Sequence, residues 1–295
     1  MKDQGITLRY IEILQEYFGT NLENVVRIKG KVNGPKVFIS AGVHGNEHCG
    51  LKAFAEIIPF MKNVDCGEII FAIGNPPACL KNIRFTKKEL NLNRFGVDDD
   101  LLSEEQKTSY EYGRAQLYKQ LIAESSALLD IHSGTQLREA VMIGEHSADF
   151  ITDFMPSSFP YMIYGFDAIE AGAWDGYALS LGKPGITLEC GYHEDPEGPT
   201  RAKEAITSFL KTFAIISGEC QPVIPKKKIQ MFQMYLTTTN FILARDFYSL
   251  ETLSAGELIG VDGKVQVHAP QESIMFFPHN CTGAKEEAFL LGKMV

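Results

Sequence analysis

The chain of 295 residues is predicted to adopt an α/β fold, with a mixed sheet flanked by helices, followed by a small all-β domain. From residue 37 onward, short apolar runs alternate with longer segments of helical periodicity, which is typical of a sheet with at least some parallel strands. Near residue 223 the pattern changes to short β-type runs separated by Gly and Pro turns, without a convincing long helix. We therefore predict two domains, residues 1–222 and residues 223–295.

The strands are predicted where β-branched and aromatic residues form short runs bounded by turn residues. In the first domain they are residues 37–41, 68–73, 127–131, 140–143, 161–164 and 185–189, and in the second they are residues 237–243, 258–261, 265–267 and 273–277.

Three helices are predicted between the strands of the first domain. The first covers residues 49–61, where apolar side chains recur at helical spacing. The second begins at the capping-box sequence Ser103-Glu-Glu-Gln106 and runs to about Ser125. The third runs from Pro199 to about residue 216, with Gly218 as its C-terminal cap.

Composition narrows the class of protein without identifying a function. The proportions of apolar and charged residues are those of an ordinary globular protein, and the net charge of −9 argues against a nucleic-acid partner. No apolar run approaches the length that spans a bilayer, and no secretory signal is recognisable, so we expect a cytoplasmic protein without a membrane partner. The six cysteines are widely spread and are expected to be free thiols, mostly buried.

A histidine and an acid follow the first predicted strand, in the sequence His44-Gly-Asn-Glu47. A second strand ends in Asp130-Ile-His132. Catalytic zinc sites use imidazole nitrogens and carboxylate oxygens, with three protein ligands and one open position. A lone histidine is more often structural than a ligand, but the joint pattern predicts one zinc ion per chain, bound by His44, Glu47 and His132.

The same segment also spells the H-x-x-E-H sequence of inverted zinc peptidases, in which His44 and His48 would both bind the metal. That arrangement requires a helix, because residues four apart must share one face. Gly45 and Asn46 are poor helix residues and favour a loop.

The strand Gly185-Ile-Thr-Leu-Glu189 ends in a carboxylate that is a natural general base, although a solvated strand end or an ion-pair partner would look the same. Arg84, Asn93 and Arg94 follow the turn Asn75-Pro-Pro-Ala78. Arginine suits a substrate carboxylate or a developing oxyanion, whereas exposed arginines usually serve only solubility.

Taken together, these segments resemble the succinylglutamate desuccinylase and aspartoacylase family, a branch of the zinc carboxypeptidase superfamily. The resemblance covers roughly residues 35–215, with the motifs in the same order. They are His44-Gly-Asn-Glu47, Asn75-Pro-x-Ala78, Arg84, Asn93-Arg94, Asp130-x-His132 and Thr187-Leu-Glu189.

The resemblance implies a carboxypeptidase-like mixed sheet in a zinc-dependent hydrolase domain and a β-rich C-terminal domain. It implies zinc binding by His44, Glu47 and His132. Its further site residues would be Glu189 as general base, Arg84 on the scissile carbonyl, and Asn93 with Arg94 on a substrate carboxylate. The implied reaction is hydrolysis of an amide between an acyl group and the amine of a small amino acid or related compound.

Other features do not match the family pattern. The loop at residues 190–196 has no counterpart that we recognise, and its His193 is expected to be exposed. Some family members use a tyrosine to contact the substrate, and Tyr235 and Tyr248 lie in the C-terminal part of this chain. Lys264 lies in a turn that resembles the modified hairpin of biotinyl carriers, although its sequence context favours a structural role.

Two other functions remain open at the level of sequence. A carboxypeptidase that trims peptides would use the same metal and base in a larger cleft, and a non-catalytic zinc-binding or ligand-binding protein could share the fold. The presence of Glu189 and Arg84 argues against the second, since a structural zinc site is normally closed by four ligands. The sequence does not define an oligomeric state, and a homo-oligomer is compatible with it.

Overall fold

The computed structural model describes residues 10, 12–14, 16–17, 24–61, 64–87, 90–223 and 226–295. Within this part of the chain the strands form one mixed eleven-stranded sheet and one antiparallel three-stranded sheet. The strands are β1 (Val25–Lys29), β2 (Val32–Ala41), β3 (Cys66–Ile73), β4 (Ala127–Gly134), β5 (Val141–Gly144), β6 (Tyr161–Tyr164), β7 (Gly185–Tyr192), β8 (Lys227–Leu236), β9 (Phe241–Leu243), β10 (Thr252–Leu253), β11 (Leu258–Asp262), β12 (Val265–His268), β13 (Ser273–Phe276) and β14 (Glu287–Met294).

The large sheet has the order β1-β3-β2-β4-β7-β5-β6-β8-β14-β13-β10. Four neighbouring strands, β3, β2, β4 and β7, are mutually parallel. Their carboxyl ends therefore meet at one edge, which is where open α/β sheets place their ligands. The register sets Ser40 beside Asp130 and His132 beside Glu189.

Helices cover both faces of this sheet. They are α1 (Cys49–Ile57), α2 (Pro76–Lys81), α3 (Glu104–Lys107), α4 (Tyr110–Glu124), α5 (Asp149–Thr152), α6 (Phe166–Ile169), α7 (Trp174–Ser180) and α8 (Gly198–Thr212). One buried cluster includes Phe54 of α1 and Phe209 of α8, and a second includes Tyr118 of α4 and Trp174 of α7. These two apolar layers hold the parallel strands rigid beneath the site.

The six strands predicted in the first domain are present, but four of them are longer than expected. β2 begins at Val32 and β3 at Cys66, whereas β4 continues to Gly134 and β7 to Tyr192. His132 and Glu189 consequently lie within paired strands, which restrict their backbones more than a loop would.

The predicted helix ends were less accurate. The capping box at Ser103 is confirmed, but α3 stops at Lys107 and Ser109 caps a separate helix, α4. Gly218 does not cap α8, which ends at Thr212 with Ala214 in the left-handed region at φ 52°. Backbone bonds from Ala214 to Lys211 and from Ile215 to Leu210 close the turn, a pattern that alanine tolerates although glycine is preferred.

The C-terminal strands extend the large sheet. β8 pairs in parallel with β6, and β14, β13 and β10 follow β8 in the sheet. The change of sequence pattern near residue 223 therefore does not interrupt the sheet. Neither β8 nor β14 was predicted, and of the strand expected at residues 237–243 only Phe241–Leu243 forms. The domain division at residue 223 stays a prediction.

None of the six cysteines forms a disulfide bond, and four of them are buried, as expected. In the described part of the chain, no helix combines the length and the hydrophobicity that a bilayer crossing requires.

Candidate active site

The loop between β2 and α1 turns two of the predicted ligands back toward the sheet. Gly42 adopts φ 67°, and a Cβ on Gly45 would lie 2.1 Å from the backbone of Ala78, so the tight course of the loop depends on glycine. Helix α1 begins only at Cys49. The helix that the H-x-x-E-H interpretation requires is therefore absent from residues 44–48, and that interpretation was wrong.

His44, Glu47 and His132 come together as three buried side chains whose potential ligand atoms lie within 4.8 Å of one another. His44 Nδ1 is 2.8 Å from Glu47 Oε1, and His132 Nδ1 is 2.8 Å from Glu47 Oε2. Two nitrogens and a carboxylate at this spacing match the donor set that zinc prefers.

The other ring nitrogen, Nε2, of His44 and of His132 also has a hydrogen-bond partner. His44 Nε2 lies 3.0 Å from Asn91 Oδ1, and His132 Nε2 lies 2.8 Å from Asp130 Oδ2. Hydrogen-bonded partners of this kind orient metal-binding imidazoles and fix their tautomer. Both Nδ1 lone pairs are thereby directed at the same point, so the residues fit a metal ion. The role of Asn91 was missed, although it stands two residues from Asn93 in the sequence.

Burial and nearby charges set the protonation states of the three groups. Burial lowers the pKa of His44 to about 4, which keeps this imidazole neutral. Burial also opposes the charged forms of Glu47 and His132, but their mutual attraction, with Asp130, outweighs it. The pKa of Glu47 is therefore held well below its usual range, and that of His132 well above it. Because metal ligands must be deprotonated, a bound cation would displace the proton of His132.

Glu189 lies beside His132 in the register of β4 and β7. Its Oε2 atom is enclosed and has no hydrogen-bond partner among the described residues. Burial, reinforced by the charge of Glu47, raises the pKa of Glu189 to about 8. A carboxylate with a pKa near neutrality is suited to accept and return a proton.

Arg84 lines the same cavity with a side chain that is 44% exposed. Its Nη1 donates to Glu47 Oε1 at 2.7 Å, and its carbonyl oxygen accepts a bond from the Gly45 amide at 3.2 Å. The structure thus places Arg84 at the metal-binding group, within the same cavity that a substrate would enter.

A buried carboxylate supports the segment that carries Arg84. Glu111, in the first turn of α4, is 1% exposed. Its Oε1 accepts bonds from the Thr86 hydroxyl and from Asn75 Nδ2, while Asn75 Oδ1 caps α2 by accepting from the Ala78 amide. Sequence reasoning missed Glu111, because it lies 25 residues from Thr86 on a helix without a recognised motif.

Asn93 and Arg94 lie in a 3₁₀ turn, Leu92–Arg94, and both line the cavity. The Arg94 guanidinium is already paired within the protein. Its Nε donates to Glu170 Oε1 at 2.8 Å, Nη2 contacts the same oxygen, and Nη1 donates to the Asn93 carbonyl at 2.6 Å. The predicted contact of Arg94 with a substrate carboxylate therefore competes with an internal carboxylate.

His44, Glu47, Arg84 and Glu189 open onto one cavity of about 730 Å³, which Asn93 and Arg94 also line. Its walls include Phe277, His279 and Glu287 from the C-terminal strands and loops, so both parts of the chain build it. His193 also lines the cavity, and its Nδ1 lies 2.9 Å from the Ser133 hydroxyl, which places it closer to the site than the sequence indicated.

The remaining candidates from the sequence lie elsewhere. The Tyr235 hydroxyl donates to Asp262 Oδ2 at 3.1 Å, and the Tyr248 ring stacks on the Arg138 guanidinium at 3.4 Å. Lys264 is exposed in the turn between β11 and β12. None of these three residues is among those that line the cavity.

Comparison with known proteins decides the family. The model of the succinylglutamate desuccinylase/aspartoacylase catalytic domain matches residues 33–214, well over half of the chain. The chain belongs to this family.

A similar curated protein is the N-alpha-acetyl-L-2,4-diaminobutyric acid deacetylase of Halomonas elongata, which is 24% identical over 209 residues. The match covers 66% of this chain but only 60% of that relative.

Solved structures share the fold over nearly the whole chain. The succinylglutamate desuccinylase of Chromobacterium violaceum superimposes with a TM-score of 0.74 and 14% identity, covering 96% of this chain and 97% of its own. The ectoine utilization protein of Ruegeria pomeroyi, in a product-bound structure, gives 0.69 and 18%, covering 91% and 88%. These TM-scores establish the common fold, and with it the expected α/β sheet and C-terminal β region.

Proposed function

We propose that this protein is a zinc-dependent deacylase that hydrolyses the amide bond of a small N-acyl amino acid or a related compound. The observation that carries the proposal is the open set of His44, Glu47 and His132 with the unpartnered carboxylate of Glu189 beside it. Family membership supports the same reaction class. The Halomonas elongata relative is named for the removal of an acetyl group from a diamino acid, which also agrees with it.

Zinc in a three-ligand site supplies Lewis acidity, which polarises a carbonyl and makes water acidic enough to attack near neutral pH. His44, Glu47 and His132 would hold it, and Asp130 and Asn91 would keep the two imidazoles oriented. Ser133 supports this arrangement by donating its backbone N–H to Glu47 Oε2 at 3.2 Å.

Glu189 is assigned the proton transfers. In the ionised form it takes a proton from the attacking water, and it then returns that proton to the leaving amine. Its enclosed Oε2 atom has no hydrogen-bond partner among the described residues, so the carboxyl is free to accept and return a proton. Its neighbour His132 is fixed on the adjacent strand, so the distance between base and metal centre is set by the sheet.

Arg84 is assigned to the scissile carbonyl. Its Nη1 donates to Glu47 Oε1. A cation held by Glu47 would compete for that charge, so the guanidinium would be available to a substrate oxygen. The C-terminal wall of the cavity, including Phe277 and Glu287, limits the space beyond the site and favours a small substrate over a peptide.

Metal content and turnover test the proposal together. The protein is stripped with a chelator, reloaded with zinc and assayed for amine release from acetyl, succinyl and formyl amino acids. We expect His132→Ala to lose stoichiometric zinc, and Glu189→Gln to retain zinc while turnover falls by about 10²- to 10⁴-fold. The control is His146→Ala, which removes an exposed histidine. Full zinc occupancy in both His44→Ala and His132→Ala would refute the ligand assignment, and an inactive zinc-loaded wild-type protein would refute the deacylase.

A further inference from the structure

The loop at residues 190–196, at the end of β7, is held in a defined course by an ion pair. Arg201 Nη1, on α8, donates to Asp195 Oδ2 at 2.5 Å. Gly191 adopts φ 108°, and a Cβ there would lie 2.5 Å from the same Asp195 oxygen, so the approach of the two segments depends on glycine. This closed course restricts where His193, in the middle of the loop, can lie.

The loop places His193 at the metal-binding group. His193 Nδ1 lies 2.9 Å from the Ser133 hydroxyl oxygen. The backbone N–H of Ser133 in turn donates to Glu47 Oε2 at 3.2 Å. Two hydrogen bonds therefore connect His193 with a proposed zinc ligand, and the other ring nitrogen of His193 is left for a different partner.

Two polar atoms in this region are enclosed without a hydrogen-bond partner among the described residues. They are Nε2 of His193 and Oδ1 of Asn46, the residue that directly precedes Glu47. Buried polar atoms are nearly always paired, because burial removes the water that would otherwise bind them. Two unpaired atoms close to the metal-binding group therefore indicate that a bound molecule supplies the missing partners.

The two residues belong to a common wall. Asn46 and His193 both line the main cavity of about 730 Å³, and both also line a second cavity of about 330 Å³. The other described residues around the second cavity, which do not line the first, are His48, Lys52, Asn82 and Glu194. A substrate group that reaches this wall from the main cavity would meet Asn46 and His193 first.

The chemistry of the wall favours a neutral group that donates a hydrogen bond. Asn46 Oδ1 only accepts, so its partner must carry a donor, which a carboxylate lacks. His193 Nε2 can donate or accept, according to the direction of the bond between Nδ1 and the Ser133 hydroxyl. Lys52 and Glu194 give the second cavity one charge of each sign, which favours neither an anion nor a cation. A hydroxyl or a carboxamide satisfies these conditions.

We propose that Asn46 and His193 form a second substrate subsite, which binds a hydroxyl or carboxamide group at the wall between the two cavities. The inference rests on the proposed deacylase and adds a neutral polar substituent to its substrate. The recognising chemistry is the same whether the acyl half or the amine half carries that group. Asn46 and His193 determine specificity in this arrangement and take no part in the proton transfers.

Pairs of compounds that have similar shapes but differ in hydrogen bonding test the subsite. On the acyl side, N-glycolylalanine is compared with N-propionylalanine, and N-malonamoylalanine with N-isovalerylalanine. On the amine side, N-acetylserine is compared with N-acetyl-2-aminobutyrate, and N-acetylasparagine with N-acetylleucine. The zinc-loaded protein is assayed for kcat/KM, and binding to zinc-loaded Glu189→Gln is measured by calorimetry. We expect the polar member to be preferred by about 10- to 100-fold in at least one pair, since an apolar group leaves both buried atoms unpaired.

Two substitutions at position 193 isolate the role of Nε2. His193→Leu and His193→Gln both lose the contact of Nδ1 with Ser133, but glutamine keeps a hydrogen-bonding group at the end of a side chain of similar length. We expect the polar preference to fall by about 5-fold or more in His193→Leu and in Asn46→Ala, and to be largely retained in His193→Gln. The control is His268→Ala, which removes an exposed histidine that lines neither cavity.

The outcomes separate this inference from the function on which it rests. Hydrolysis without a polar preference in any pair would overturn the subsite and leave the deacylase standing. The same holds for a preference that is unchanged in Asn46→Ala and His193→Leu, or that falls equally in His193→Leu and His193→Gln. If no compound is hydrolysed, the proposed deacylase fails, and the calorimetric ratios still decide the preference. Binding of none of the compounds would overturn the subsite as well.

Discussion

Replacement of Glu111 by alanine should impair the site from a distance. Glu111 contacts neither the metal ligands nor Glu189 in any described hydrogen bond, yet its Oε1 holds both Thr86 and Asn75. Thr86 stands two residues from Arg84, and Asn75 caps the helix that leads into the Arg84 segment. We therefore expect Glu111→Ala to make the position of the Arg84 side chain less well fixed.

The size of the effect follows from the two hydrogen bonds that this substitution removes. Hydrogen bonds to a buried charged group contribute about 1.5–3 kcal/mol each, so removal of both predicts a decrease of about 3–6 kcal/mol in unfolding free energy. Glu111→Gln retains an Oε1 atom that can accept both bonds, and it should cost about 1–2 kcal/mol. Because small displacements of positioning groups reduce rates strongly, turnover of Glu111→Ala should fall by about 10- to 100-fold.

Urea unfolding, zinc content and kcat are compared for the wild type, Glu111→Ala, Glu111→Gln and Arg84→Ala. The decisive measurement is the double variant of Glu111→Ala with Arg84→Ala. If Glu111 acts through Arg84, it should lose little more turnover than Arg84→Ala alone, since groups that act as a unit are not additive.

Two results would refute this reasoning. Unfolding free energies of Glu111→Ala and Glu111→Gln that agree within about 1 kcal/mol would show that the two hydrogen bonds do not matter. The other result is that Glu111→Ala reduces turnover by the same factor in the Arg84→Ala background as in the wild type. That result would show that Glu111 does not act through Arg84.

Three further predictions concern the surroundings of the site. Asp130→Asn should weaken zinc binding by about 10- to 100-fold in chelator competition, since it disturbs the partner of His132, and unchanged affinity would contradict that role. Burial raises the pKa of Asp175 to about 7. The stability that its protonated carboxyl contributes is therefore complete below pH 4 and is lost as the pH rises through 7. In urea unfolding, Asp175→Asn should stabilise the protein by about 2–4 kcal/mol at pH 8 and by little at pH 4. Gly172→Ala should lower the unfolding free energy by about 2–3 kcal/mol, measured in the same way, because its φ of 105° and the close backbone both exclude a side chain.

The sequence was informative where function depends on local pattern. The motif His44-Gly-Asn-Glu47 follows an apolar run that forms a strand, and two further apolar runs carry His132 and Glu189. Because such runs pair in parallel in an α/β fold, their functional side chains collect at one edge. Local pattern therefore predicted both the fold class and the residues that now lie together.

Helix ends and the C-terminal strands of the large sheet were predicted less well, because they depend on partners outside the local window. β8 carries mixed apolar and polar residues and is recognisable only through its pairing with β6 and β14. Ala214 could occupy a left-handed position because the backbone bonds that close α8 compensate for its Cβ.

The sequence by itself determined which donor groups stand at the site, since the proposed metal ligands and the proposed base follow from residue type at strand ends. Only the tertiary structure decided what Arg94 does. Its partner Glu170 lies 76 residues away, and Glu287 arrives from the last strand of the chain. Charge compensation depends on distance in space, which a sequence pattern does not record, and so the same arginine that suggested a substrate carboxylate is paired in the folded protein with a carboxylate of its own.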